Sequence, residues 1–164
     1  MAHRSLELTF LGGTGTITGA RYFLDSGECG VLVDCGLYQG FKNLRRRNRC
    51  PLPVRRLDAV VLTHAHLDHA GHLPRIVRDG YRGPIYCTPG TAALCGILLP
   101  DSAATLLQDA AFANKKGYTK HHPADPLYTA EDVARTLGML RPIEFGERFA
   151  LPDGLHGQFT RSGH

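Results

Sequence analysis

The chain has no run of about 18 consecutive apolar residues, so no membrane span is expected among its 164 residues. The opening segment, Met1-Ala2-His3-Arg4-Ser5-Leu6-Glu7, lacks the apolar core of a signal peptide. The five cysteines are Cys29, Cys35, Cys50, Cys87 and Cys95. Their number is odd and no Cys-x-x-Cys occurs. That argues against a disulfide framework or a zinc ribbon and for reduced thiols in a cytoplasmic protein. The glycine-rich stretch Gly12-Gly13-Thr14-Gly15-Thr16-Ile17-Thr18-Gly19 does not have the spacing of a nucleotide-binding motif. Counting from Gly13, Gly-x-Gly-x-x-Gly needs glycine where Thr18 stands, and no Gly-Lys-Ser/Thr follows for a phosphate loop. Its glycines instead let backbone pass close to another loop or to a site. There is no internal repeat and no low-complexity linker.

What is present fits one domain. Hydrophobic residues make up 43% and charged residues 21%, which permits a sizeable core and argues against wholesale disorder. The net charge of +4, with a pI near 8.9, permits a phosphate-bearing partner without requiring one. The apolar pattern predicts strands over residues 6–11, 21–25, 30–34, 59–62 and 84–87, with a turn at Ser26-Gly27-Glu28. A helix is expected over about 73–79, with Pro74 in its first turn and Gly80 past its end. A second should run over 91–114, interrupted at Pro100-Asp101. A third should run from the N-cap Thr129 to about Leu140, with Asp132 completing an approximate capping box. Short strands are expected at 143–145, 148–151 and 155–160, with a turn at Pro152-Asp153-Gly154.

Two stretches are strongly basic. From Lys42 to Arg56 the chain reads as a loop carrying Lys42, Arg45, Arg46, Arg47, Arg49, Arg55 and Arg56. From Lys115 to His122 a Tyr-containing loop carries Lys115, Lys116, Lys120, His121 and His122. A lone charge run is usually a solvated face. Adjacent His121 and His122 would point opposite ways on extended backbone, so a surface loop touching phosphate fits them better than a shared ion.

The densest chemistry lies in Thr63-His64-Ala65-His66-Leu67-Asp68-His69, straight after the apolar run from Ala59 to Leu62. Side chains two apart on extended backbone point the same way, so His64 and His66 project together from a strand end. Asp68 and His69 follow where the chain turns toward a helix. Imidazole and carboxylate donors suit a borderline metal such as zinc. One tetrahedral ion seldom takes four ligands from so short a segment, so a second metal is implied, roughly 3.5–4 Å from the first in two-metal hydrolases. The cluster cannot complete such a site alone. His72, three residues beyond His69, is expected to line the site or pack nearby. Asp34, at the end of an apolar strand, is either a turn former or an orienter of a ligand histidine.

His64-x-His66-x-Asp68-His69 after an apolar strand resembles the signature of metallo-β-lactamase-fold hydrolases. The flanking text is similar to the β-CASP branch of RNA-processing nucleases, related to the cleavage-and-polyadenylation endonuclease. It comprises Gly15 to Ala20, Val33 to Gly40, Leu57 to Thr63, Gly80 to Tyr86, the helix at Asp101-Ser102-Ala103, and the loop Lys120-His121-His122-Pro123. The resemblance runs from about Leu6 to His164. It implies an α+β fold, the αββα sandwich of that family, of which residues 1–164 would supply the N-terminal sheet and its helices. It implies two zinc ions per complete site and hydrolysis of RNA phosphodiesters by a metal-bound hydroxide, with RNA met through the two basic stretches. Asp34 matches the supporting aspartate of the first motif. His64, His66, Asp68 and His69 match the second, with Asp68 and His69 at the chemistry. Ser162-Gly163-His164 resembles the third, which makes His164 a ligand of the first zinc. The fourth-motif aspartate, the inserted β-CASP domain and the later histidine motifs have no counterpart. The expectation is therefore a fragment-like chain with partial metal occupancy, weak activity, and a bare sheet face that drives self-association. The alternatives are another hydrolase of the same fold, acting on DNA, a thioester or a lactam, and a non-catalytic scaffold.

Overall fold

In the computed structural model, which describes residues 5–117 and 123–163, the strand signals pair into one six-stranded sheet in sequence order. The strands are β1 (Glu7–Gly12), β2 (Arg21–Asp25), β3 (Gly30–Val33), β4 (Ala59–Val61), β5 (Ile85–Cys87) and β6 (Leu140–Pro142). The first three form an antiparallel meander, and from β3 to β6 the pairing is parallel. The helices are α1 (Lys42–Arg46), α2 (Leu67–Ala70), α3 (Leu73–Arg78), α4 (Pro89–Lys116) and α5 (Ala130–Gly138). A separate hairpin joins β7 (Arg148–Ala150) to β8 (His156–Gln158).

Strand alternation sends Phe23, Leu32, Val60, Ile85 and Cys87 to one face, where they pack with Leu73, Ile76 and Val77 of α3, Cys95, Leu99 and Ala103 of α4, and Val133 of α5. The opposite set, Val31 and Ala59 with Leu24, Val61 and Tyr86, faces the hairpin side and meets Leu151 and Leu155. Tyr86 stacks on Phe149 at 4.8 Å, and Phe149 on Phe159 at 5.3 Å. The expected bare sheet face is thus partly covered by the chain's own hairpin. Large apolar side chains are exposed at Leu8 and Phe10 of β1, at Ile17 and Phe41 in loops, and on α4, where Leu94, Ile97, Leu107 and Phe112 are all more than half exposed.

Four other expectations change. α4 does not break at Pro100 but runs continuously from Pro89 to Lys116. A proline ring crowds the carbonyl four residues back, which here belongs to Gly96, and Leu99, Ser102 and Ala103 anchor the helix on both sides of the proline. The same helix is long and apolar enough by length and composition to cross a membrane. One face of it packs on the sheet, Asp101 and Asp109 stand within it, and 28% of its most apolar stretch is buried. The capping box forms as expected, with the Thr129 side chain accepting from Asp132 N–H and the Asp132 carboxylate accepting from Thr129 N–H. α5 nevertheless stops at Gly138. Residues 140–142 then form the last strand instead of 143–145, because Ile85 N–H bonds Met139 O and Ile143 N–H bonds Cys87 O, which draws this stretch into the parallel ladder. Finally, the basic stretch after Phe41 is not a plain loop. It forms α1 and two short 3₁₀ turns, Arg47–Arg49 and Val54–Arg56.

Candidate metal centre

The histidine cluster leaves the C-terminal end of β4, and α2 begins within it at Leu67. This is the strand edge where α/β folds collect ligands. A four-residue helix has little stability of its own. Here its carbonyls are held from outside. Leu37 N–H donates to Leu67 O at 2.8 Å, Ala20 N–H to Asp68 O at 2.9 Å, and Cys35 N–H to His69 O at 2.6 Å. Gly36 lies so close beneath that a Cβ there would sit 1.6 Å from Asp68 O. The buried Arg21 fixes this loop by donating to Gly36 O from Nε at 2.9 Å and Nη2 at 2.7 Å. Asn48 ties it further, accepting from Tyr38 N–H at 2.8 Å and from Arg21 Nη2 at 3.2 Å. The Gly-rich loop after β1 serves the same end: a Cβ on Gly19 would meet the Tyr38 ring at 2.6 Å.

Asp34 is placed to orient His69. It is 1% exposed and adopts a left-handed backbone, φ 60°, a conformation that aspartate tolerates and that clusters at functional sites. Its Oδ1 accepts from Thr63 N–H at 2.8 Å, and its Oδ2 lies 2.8 Å from His69 Nδ1. Nδ1–H therefore donates to Asp34, which leaves His69 Nε2 as the nitrogen that could hold a metal. That hydrogen bond holds the His69 imidazolium above the ordinary histidine range, against the opposing effect of burial.

The donors fall into two pairs. His64 Nε2 is 3.1 Å from His66 Nδ1, and His69 Nε2 is 3.6 Å from Asp68 Oδ2. Two donors bound tetrahedrally at ~2.0–2.2 Å sit roughly 3.3–3.5 Å apart, so each pair has the spacing of two ligands on one ion. The pairs adjoin, with the His64 and His69 ring centroids 4.0 Å apart. Among the described residues no group of three such side chains converges. The chemistry of the donor set fits zinc or a similar metal, two donors at a time. The predicted ligand His164 lies outside the described residues, as do Lys120, His121 and His122.

His72 is not a ligand. It is 1% exposed, with Nε2–H donating to Asn48 O at 2.9 Å and Nδ1 3.9 Å from Cys35 Sγ. Burial pushes its pKa down to about 3. A cleft of about 660 Å³ opens beside the cluster, lined by Thr63, His64, His66 and Thr88, with Leu98, Phe145 and Arg161 on its other walls. Arg161 lies over the Phe145 ring at 5.4 Å. An apolar groove of about 560 Å³ between α4 and α5 carries no donor cluster and is not the site. Sequence reasoning missed Thr63, Arg21, Asn48, Phe145 and Arg161. Only Thr63, beside the cluster, gave a local signal.

Known proteins resemble this chain over most of its length. The family described as the metallo-beta-lactamase superfamily matches residues 19–140. Ribonuclease TTHA0252 of Thermus thermophilus is 37% identical over 159 residues, which is 97% of this chain and 33% of the relative. Transcription termination factor FttA of Cenarchaeum symbiosum is 40% identical over 169 residues, covering all of this chain and 24% of that protein. Integrator complex subunit 11 of Danio rerio is 28% identical over 166 residues, 97% of this chain and 26% of the relative. The chain thus spans a third or less of the length of these relatives.

Proposed function

The chain belongs to the metallo-beta-lactamase superfamily, and from that premise we propose that it carries the metal-holding part of a zinc-dependent ribonuclease. The observation that carries this reading is the pairing of donors: His64 Nε2 with His66 Nδ1, and His69 Nε2 with Asp68 Oδ2. His64 and His66 would hold one zinc, and Asp68 and His69 a second, with His164 as the further ligand to the first. When bound, zinc supplies Lewis-acid polarisation of a phosphoryl oxygen and lowers the pKa of water. The chain's own residues do the rest. Asp34 holds His69 in one tautomer and orientation. The loop from Ala20 through Leu37 holds α2 in place, so Asp68 and His69 need not reorganise as charge develops. Leu98 and Phe145 give the cleft beside His64 and His66 an apolar wall.

RNA as substrate is supported by the similarity to a ribonuclease and by the exposed cations of residues 42–56. Lys42, Arg45, Arg46, Arg47, Arg49, Arg55 and Arg56 all face solvent. Contacts from such side chains to single-stranded phosphate lower the log–log salt slope by about 0.7 each and carry little sequence information. The Lys115 to His122 stretch would add to them. The five unpaired thiols suit a reducing, cytoplasmic setting.

The test is cleavage of a labelled RNA by the zinc-supplemented chain beside His66→Ala. Slow, zinc-dependent cleavage that His66→Ala abolishes is the expected result. Equal behaviour of the two proteins would remove the hydrolytic reading and favour a scaffold.

A further inference from the structure

The hydroxyl of Thr63 sits where one proton decides the state of a ligand. Its Oγ1 is 3.0 and 2.8 Å from Asp34 Oδ1 and Oδ2, and 3.0 Å from His64 Nδ1. A hydroxyl has one hydrogen, and a carboxylate has none to give. The Thr63 hydrogen therefore goes to Asp34, and the remaining contact is completed only if His64 Nδ1–H donates to Thr63 Oγ1. Nε2 of His64 is then left with its lone pair, and it is this atom that faces His66 Nδ1 at 3.1 Å.

We propose that Thr63 is a positioning residue that relays Asp34 to His64, so that one buried carboxylate sets the tautomer of both pairs' leading histidines, His69 directly and His64 through the Thr63 hydroxyl. The metal arm of this inference rests on the proposed metal centre, whereas the tautomer arm does not. Valine replaces the hydroxyl with a methyl group of similar size and keeps the backbone N–H that donates to Asp34 Oδ1 at 2.8 Å. A purely structural role of residue 63 at the strand end survives that change.

The experiment compares native protein, Thr63→Val and Thr63→Ser. One arm reads the histidine tautomers of the metal-free proteins by long-range proton–nitrogen spectra near pH 8. The other reads zinc affinity by competition with a chelator. The native chain is expected to hold His64 as the Nδ1–H tautomer. Thr63→Val should shift His64 toward Nε2–H and weaken zinc binding by roughly 10–100-fold, the effect typical of losing an outer hydrogen-bond partner of a ligand. Thr63→Ser should restore both readouts. An Nε2–H tautomer in the native chain overturns the inference, as does a Thr63→Val protein that matches it in tautomer. If the native chain takes up no zinc, the metal reading falls, and the tautomer comparison alone decides the role of Thr63.

Discussion

His72 is a single buried imidazole with a measurable consequence in acid. Its ordinary pKa of 6.5 is pushed down to about 3 by burial, with the Arg21 cation acting in the same direction. The unfolded chain takes up this proton readily below pH 6.5, and the folded chain does not. The stability that His72 contributes is therefore present above that pH and is lost as pH falls toward 3. Urea unfolding between pH 6 and 4 should show a slope containing about 1.4 kcal/mol per pH unit from this one group. His72→Gln keeps a donor for Asn48 O and should remove that component; an unchanged slope would show that the acid sensitivity lies elsewhere. Residues of this kind divide into those legible in the sequence and those that were not. His64, His66, Asp68 and His69 were legible because strand alternation and one helical turn fix their directions locally. Asp34 stayed undecided between turn former and orienter because its partners Thr63 and His69 stand 29 and 35 positions away. Arg21 and Asn48 gave no signal at all, since a buried arginine held by a backbone carbonyl and an asparagine looks like any surface arginine until the chain is folded.

At the scale of elements, the short helix α2 depends on what lies beneath it. The amides of Ala20, Cys35 and Leu37 hold its carbonyls, and Gly36 leaves the gap into which Asp68 O settles. Gly36→Ala puts a methyl into that gap and must push α2 outward. We expect a loss of roughly 1–3 kcal/mol in urea unfolding, the usual cost of overpacking, together with weaker zinc binding, because Asp68 and His69 move with the helix. Unchanged zinc affinity in a folded Gly36→Ala protein would mean that the backbone clasp does not position the ligands. Most elements followed from local pattern, including β1 to β5 and the Thr129 cap. Two of the four changed expectations have clear physical causes. Pro100 marks a break only if its neighbours leave room for one, and the buried Leu99, Ser102 and Ala103 do not. Residues 140–142 read poorly as a strand because Pro142 cannot complete a ladder, yet β6 is the sheet's edge, where proline is tolerated.

At the scale of the molecule, one sheet separates two environments: a helical layer over one face and the β7–β8 hairpin over part of the other. The donor cluster stands past the C-terminal end of β4, an inner strand, with its donors in two adjoining pairs. The grouping of His64 with His66 and of Asp68 with His69 is local and readable from the sequence, whereas the bonds from Asp34 to Thr63 and His69 depend on β3, β4 and α2 meeting. The claim on which everything else rests is that this cluster binds metal. The most direct measurement is the zinc stoichiometry and affinity of the purified chain, by chelator competition, beside His66→Ala. The account predicts saturable zinc uptake by the native chain and, in His66→Ala, a loss larger than the roughly 10–100-fold that outer hydrogen-bond partners cost. A native chain that takes up no zinc, or a His66→Ala chain that binds it equally well, would contradict the account.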